Sequence, residues 1–448
     1  DIPPTPSTRT PTRRDRHATR GSAHRRFNLH RVSEVCSAVP GGCAPDGAPT
    51  AHGRVSLPPS RCDVLVVGGG PAGLIAAREL LARDRSLAVT LLERDRAIGA
   101  PVRCGEGVGG AGLSEFIDPA GASWVSRRIK KVIFWAPNGT EVRVAEGDVG
   151  FILDRTRFEP ALAAQAGEAG AEILVGTEAT GLRRDGDGWL VAVRGSGGER
   201  TIRTRLVIAA DGVDGMGSRW AGLDTRGPSR DMESCAQYLM TNVAVDQDAI
   251  YLHFGNRVAP GGYAWVFPKG GDSANIGLGV VALRAGGRSA REWLDDYARS
   301  YFPTGVKVGY TVGGVIVNPT IKRTVTDALI TCGDAAHMIN PLSGGGIVNA
   351  MKAGRLAAEV GASALAARDT SAARLQRYHD EWMSLLGDDH VRFHRLKDAL
   401  SKFDDAFFDN LAKTVNGIAP EKRTLRRIFG SALMHHPTLL PVVAKYFV

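Results

Sequence analysis

The sequence predicts an α/β fold: a Rossmann-type nucleotide domain, interrupted by an antiparallel β-sheet domain and followed by a helical C-terminal tail. Three observations predict it. A Gly68-x-Gly70-x-x-Gly73 turn lies between a short β-branched run and an apolar helical stretch. A second glycine-rich segment, 333–346, follows another such run far downstream. Between them lies a β-rich block punctuated by turn residues. The nucleotide domain is expected to be discontinuous, over 61–115, 150–222 and 325–365. The β-sheet substrate domain takes 116–149 and 223–324, and the helical region 366–448.

Ordered structure is expected to begin near Cys62. Asp63–Val67 reads as a strand, Leu74 to about Arg83 as a helix and Ala88–Glu93 as a second strand, which makes one βαβ unit. Strands at Lys131–Trp135 and Glu141–Val144 flank the turn Pro137-Asn138-Gly139. Residues 154–170 read as a helix with Phe158, Leu162, Ala166 and Ala169 on one face. Strands follow at Ile173–Val175, Trp189–Val193 and Leu206–Ala209, a β-rich stretch covers about 236–282, and a helix spans Ala290–Tyr301. A strand at Ala328–Thr331 leads into the second glycine segment, and the chain is then helical.

Composition narrows the classes. At 448 residues and 43% hydrophobic content the chain can fill two or three cores. No window approaches the roughly 18 apolar residues of a membrane span. The net charge is +9, but residues 1–60 hold nine Arg and no Lys against four acids. That segment is rich in Pro, Ser, Thr and Gly and has no period, so it is expected to be disordered. A nucleic-acid partner is therefore not expected despite the basic balance. The first Met is Met216; the N-terminal end reads as a processed end or an upstream translation, and its Arg-rich composition also fits a transit peptide. Six scattered Cys show no metal-ligand spacing, so no metal is expected and a reduced, cytoplasmic setting is the default.

The chemistry lies in the glycine turns. Gly68 permits the tight turn, Gly70 lets backbone approach a pyrophosphate, and Gly73 lets helix pack on strand. Glu93, closing the second strand 20 residues after Gly73, can accept ribose hydroxyls. An acid there disfavours a 2′-phosphate, leaving NAD or FAD. The segment Gly333-Asp334, then Gly344-Gly345-Gly346-Ile347 opening a helix, favours FAD. Asp334 can hold a ribityl hydroxyl, and the helix N-terminus can support charge on a reduced flavin ring.

These segments, with Asp211-Gly212 after a strand, resemble the para-hydroxybenzoate-hydroxylase-like flavoproteins. Two more narrow the resemblance to the geranylgeranyl reductase family: Pro101-Val-Arg103-Cys104-Gly105-Glu106-Gly107, and Pro260-x-x-Tyr263-x-Trp265-x-Phe267-Pro268 followed by Asn275-Ile-Gly277-Leu-Gly279. The resemblance covers about residues 62–365. It implies FAD contacts at Ala72, Glu93, Cys104, Gly105, Gly107, Arg155, Ala179, Asp334, Gly346 and Ile347, besides the Gly68, Gly70 and Gly73 turn. Gly215 departs from a frequent Ser, and His337 from a smaller residue, as hydroxylase relatives do.

The resemblance implies reduction of geranylgeranyl double bonds on a lipid, diphosphate or quinone. Hydride from flavin N5 goes to one carbon and a proton to the other. Tyr263, Trp265 and Phe267 alternate, so a strand would point all three to one face, where π-faces could stabilise cationic character. Cys104 is a candidate proton donor or flavin-contacting thiol. A flavin monooxygenase or halogenase shares the scaffold and stays open as the alternative. An electron carrier to a membrane quinone ranks last, because the four-Cys set of an iron–sulfur cluster is missing. NAD(P)H or ferredoxin is the expected electron donor. The apolar stretch Leu433–Val448 is expected to dock on the core, cover a lipid tunnel or touch a bilayer surface as a peripheral contact.

Overall fold

The computed structural model describes residues 59–419. The expected disorder of residues 1–60, Pro59 and Ser60 apart, and the apolar stretch from Leu433 lie outside the described residues.

The chain begins β1 (Arg61–Val67), α1 (Pro71–Arg83), β2 (Val89–Leu92), β3 (Gly107–Gly109), α2 (Gly110–Ser114), β4 (Val125–Trp135) and β5 (Glu141–Leu153). It continues α3 (Arg155–Ala169), β6 (Glu172–Leu174), β7 (Glu178–Asp185), β8 (Gly188–Gly195), β9 (Gly198–Ala209) and α4 (Met216–Trp220). Next come β10 (Met232–Thr241), β11 (Ala249–Phe254), β12 (Tyr263–Gly270), β13 (Ser273–Val281), α5 (Ala290–Tyr301) and β14 (Val306–Ile316). The described chain closes with β15 (Val325–Thr326), β16 (Leu329–Thr331), α6 (Ile347–Ala366), α7 (Ala372–Trp382), α8 (Asp388–Leu400) and α9 (Asp405–Asn416).

Two sheets result. The first runs β15-β16-β9-β1-β2-β6, with β8 pairing β9 and β7 pairing β8. Its centre, β16-β9-β1-β2-β6, is parallel. Val64, Leu65 and Val66 of β1 are fully buried, as expected of a strand covered on both faces. The second sheet runs β14-β10-β13-β12-β11-β4-β5-β3. It takes in Gly107–Gly109 and follows β5 to Leu153, so its strands reach past the expected seams at 115/116 and 149/150.

Where local signals were strong the bounds agree closely. The helix expected over 290–301 spans Ala290–Tyr301, fixed by a capping box between Ser289 and Glu292. The β4–β5 hairpin is far longer than the expected 131–135 and 141–144. Its register shifts between Val125 and Arg127, Ile129 and Lys131, and Val132 and Ile133, and such bulges erase the two-residue period that marks a strand.

Candidate active site

In the parallel sheet the carboxyl ends of four strands meet, the position where such folds take ligands. β1 ends at Gly68–Gly70, β2 at Glu93, β9 before Asp211 and β16 before Gly333-Asp334. Gly68 has φ +112°, and a Cβ there would lie 2.2 Å from the Ala210 carbonyl oxygen. A Cβ on Gly73 would lie 2.0 Å from the Gly68 carbonyl oxygen. No larger residue fits either place. A Cβ on Gly70, by contrast, would meet nothing within 4 Å; that glycine faces open space. Pro71 starts α1, and the helix start carries no side-chain cap, so its first N–H groups face outward as an anion site.

Glu93 is engaged on both oxygens: the Gly69 N–H donates to Oε2 at 2.8 Å and the Asp95 N–H to Oε1 at 2.8 Å. Its carboxylate is thereby held in place, and each oxygen keeps acceptor capacity for a hydroxyl. Gly69, Gly70, Glu93 and Arg155 line one cavity of about 110 Å³. Arg155 opens α3 behind the N-cap Asp154 and pairs with the buried Glu159. Burial opposes its charge, but Glu159 and the neighbouring Cys104 hold the guanidinium firmly protonated. Ala179 lies on β7, half-buried against the outer core of the first sheet. The nearby Thr177 N–H donates to the Glu93 carbonyl at 2.9 Å.

The second glycine segment meets the first directly. α1 and α6 cross so closely that a Cβ on Gly354 would lie 2.2 Å from the Ala72 carbonyl oxygen, and one on Gly333 would lie 3.2 Å from the Ala72 Cβ. Gly346 precedes α6, and Asp334 Oδ1 lies 3.4 Å from where a Gly346 Cβ would sit. Burial pushes the Asp334 carboxyl up, with Arg155 pulling it the other way. Ile347 is buried as the first residue of the helix. Two turns remote in sequence thus form one extended cradle that fits a dinucleotide with a second polar end.

The second sheet brings the aromatic row against this cradle. On β12, Ala264, Val266 and Pro268 are buried, while Tyr263, Trp265 and Phe267 point together to the other face. Their rings follow one another at 6.0 and 6.3 Å. Tyr263 donates its hydroxyl to the Ser343 carbonyl at 2.5 Å, in the loop before α6. Phe267 lies under the other loop: Cβ atoms on Gly105 and Gly107 would fall 2.9 and 3.0 Å from its ring. β13 supplies glycines opposite the row, with Gly279 facing Tyr263 and Gly277 facing Trp265. A Cβ on Gly277 would strike the Trp265 ring at 2.4 Å.

Several site residues escaped the sequence reading. Gln237 on β10 accepts from Trp265 Nε1 at 2.8 Å and donates to the Cys104 carbonyl at 3.1 Å. Glu106, at φ +73° and buried, accepts from the Arg155 N–H at 2.9 Å, from Lys269 Nζ at 2.8 Å and from Asn275 Nδ2 at 2.8 Å. The loop carrying Cys104 is therefore tied to α3 and to three strands of the second sheet. Cys104 Sγ itself accepts the Glu106 N–H at 3.2 Å. A usable signal existed for Gln237 and Glu233, each two residues from Cys235 and so on its face of the strand.

The two departures have local reasons. Gly215 has φ +52°, and a Cβ there would lie 2.8 Å from Thr225 Oγ1, so Ser would be strained. His337, also left-handed at φ +56°, spends Nε2 on the Thr225 carbonyl at 2.9 Å. Burial lowers its pKa.

A two-helix-cradled dinucleotide site beside an aromatic sheet face defines a flavoprotein oxidoreductase. Residues 61–254 match the FAD binding domain family, and residues 231–315 match the geranylgeranyl reductase catalytic domain. The digeranylgeranylglycerophospholipid reductase of Methanocella arvoryzae is 39% identical over 387 residues, 85% of this chain and 98% of the relative. That of Methanosphaerula palustris is 40% identical over 84% of this chain and 96% of the relative. A crystal structure of a geranylgeranyl bacteriochlorophyll reductase-like protein from Thermoplasma acidophilum superimposes with a TM-score of 0.80 at 30% identity, over 86% of this chain and 99% of that one. A flavin-dependent brominase, 18% identical with a TM-score of 0.65, shares the fold alone.

The chain belongs to the geranylgeranyl reductase family. It is an FAD-dependent oxidoreductase, as the glycine turns and the aromatic motif led one to expect.

Proposed function

We propose that this enzyme saturates carbon–carbon double bonds in the geranylgeranyl chains of a glycerophospholipid. The observation that carries this reading is the face formed by Tyr263, Trp265 and Phe267 over Gly277 and Gly279, roofed by the loop 104–107. In this reading the face lines the slot for the prenyl chain, and its π-faces suit an alkene that passes through cationic character.

In this reading the cofactor's pyrophosphate lies on Gly68, Gly70, Ala72 and Gly73, its ribose on Glu93 and its ribityl chain on Asp334. Gly346 and Ile347 at the start of α6 meet the ring, and Arg155, Ala179, Gly105 and Gly107 complete the contacts. Bound and reduced, FAD supplies the hydride. The residues of the chain do the rest: the aromatic row orients the prenyl chain, and the 104–107 loop keeps water out. Cys104 is anchored through its carbonyl by Gln237, and it positions the ring edge and the substrate between the two sheets. Electrons come from NAD(P)H or a ferredoxin. Among the described residues no helix is long and apolar enough to cross a membrane; in this reading the protein meets its lipid at the bilayer surface as a peripheral contact.

The test is mass spectrometry of a digeranylgeranyl glycerophospholipid incubated with chemically reduced enzyme. Each saturated bond adds two hydrogens to the product. An unchanged lipid, with several prenyl substrates tried, refutes the reading.

A further inference from the structure

Behind the aromatic row lies a train of buried charge to which the reading above assigns no role. Glu233, on β10, shares the strand face of Cys235 and of Gln237, the partner of Trp265. Its carboxyl bends over Gly279: Oε2 lies 3.2 Å from where a Gly279 Cβ would be, and Cys235 Sγ lies 3.3 Å from the same point. Gly279 faces Tyr263 across the strands. Glu233 therefore borders the slot.

Away from the slot the train continues into α8. Lys397 Nζ lies 3.7 Å from Glu233 Oε1 and 3.9 Å from Asp231 Oδ1. Asp231 Oδ1 lies 3.0 Å from His394 Nε2, and His394 Nδ1 lies 3.8 Å from Asp398 Oδ2. Side-chain exposure is 10% at Glu233, 11% at Lys397, 1% at Asp231 and 12% at His394, then rises to 51% at Asp398. The train thus joins the slot to solvent. Such a cluster is a poor stabilising device, since apolar residues of similar volume serve as well or better. Asp231 Oδ2 is even left without a hydrogen-bond partner. The ligand atoms of Asp231, His394 and Asp398 lie close enough to hold a metal, but the ammonium of Lys397 already puts a cation beside Asp231.

We propose that Glu233 donates the proton that completes reduction of the prenyl double bond, and that Lys397, Asp231 and His394 return a proton to it from the surface at Asp398. The proposal rests on the prenyl-reductase reading. The π pair of the alkene forms the new C–H bond with the Glu233 proton, and the other carbon receives the hydride that reduced flavin supplies. Flavin is left oxidised and Glu233 as a carboxylate. Lys397 gives that carboxylate a proton and regains one through Asp231 and His394.

The electrostatics agree with the geometry. Burial pushes the Glu233 carboxyl up to about 7, with Lys397 pulling it down and Asp231 pushing it up. A group poised there can both hold and release a proton near neutrality. The other titratable groups facing Glu233 are Lys397 from α8, Asp231 before β10, Cys235 on β10 and Tyr263 from β12, and Cys104 from the roof loop faces Cys235 and Tyr263 in turn. Burial pushes the Cys235 thiol up to about 12 and the Tyr263 hydroxyl higher still. Both are far weaker acids than the carboxyl.

The test uses the full-length, FAD-loaded enzyme. Infrared titration of the wild type should show a carboxylic-acid band that disappears near pH 7 and is missing in Glu233→Gln. In single turnovers with digeranylgeranyl glycerophospholipid, Glu233→Gln should lose about 100-fold or more in rate, with flavin content and chemical reduction of the flavin unchanged. Glu233→Asp should restore part of it. His394→Gln should keep the first turnover and slow those that follow. A Glu233→Gln enzyme as fast as wild type, or a Glu233 band that titrates as an ordinary carboxyl, overturns the proposal. A wild type that leaves the lipid unchanged overturns instead the substrate reading, and with it the destination of the proton.

Discussion

Gly277→Ala is the sharpest probe of the aromatic slot. A single methyl there would lie 2.4, 2.5 and 2.8 Å from Trp265 Cζ2, Cε2 and Nε1, closer than nonbonded atoms approach. The indole cannot slide aside freely. Tyr263 and Phe267 flank it, Gly105 lies against it, with a Cβ there only 3.3 Å from Nε1, and Nε1 is bonded to Gln237. Overpacking of this kind costs about 1–3 kcal/mol, and losing the Trp265–Gln237 bond adds about 1 kcal/mol. A destabilisation of about 2–4 kcal/mol follows, with prenyl reduction falling further than FAD content does. Two other glycines set the scale. A methyl on Gly279 meets only the ends of Glu233 and Cys235, at 3.2 and 3.3 Å, and should cost less. Gly167, exposed in α3 with nothing within 4 Å, should gain up to about 1 kcal/mol as Ala. Denaturant unfolding of the three variants, beside single-turnover lipid reduction, measures the order. If Gly277→Ala is as stable and as active as wild type, the packing account of the slot is wrong.

Three further outcomes are expected. Gly73→Ala should yield protein without bound FAD, read as loss of flavin absorbance, because its methyl would overlap the Gly68 carbonyl at 2.0 Å. Lys269→Met leaves the buried Glu106 carboxylate without its cation and should cost about 3–5 kcal/mol; Glu106→Gln in the same chain should recover part of that loss in denaturant unfolding. Glu233 binds its proton more tightly folded than unfolded, about 7 against 4.5. Its favourable contribution is full below about pH 4.5 and is lost as pH rises through about 7, up to about 3 kcal/mol. The stability of wild type relative to Glu233→Gln, followed by urea unfolding at several pH values, should fall across that window; a flat difference refutes the shift.

What the sequence disclosed was whatever a short stretch of chain decides alone. The Gly68–Gly73 turn, Glu93 at the end of its strand and the capped helix from Ala290 depend on backbone sterics and local hydrogen bonds. The alternation of Tyr263, Trp265 and Phe267 likewise fixed their common face. What stayed hidden depended on register. Gln237 matters because β10 and β12 both pair with β13, setting it level with Gly277 and Trp265. No spacing within one strand contains that. Glu106 lay inside a quoted motif, yet its three donors come from α3, β12 and β13, elements that only tertiary structure assembles.

That assembly bears on how the two halves of the reaction are kept in step. The loop 104–107 is short, but Glu106 fastens it to the start of α3, where Arg155 lines the nucleotide cavity, and to Lys269 and Asn275 beside the slot. Gly105 and Gly107 then let it lie flat on Phe267. At the other end of the row, Tyr263 bonds to Ser343 in the loop before α6. The aromatic face is thus pinned at both ends to segments that form the nucleotide cradle. In the proposed reading neither end of the row can shift without moving a segment assigned to the cofactor, so packed protein rather than the flexible prenyl chain would set the distance from ring to alkene. A fold with its slot on a separate, loosely hinged sheet would have to fix that distance anew at each turnover.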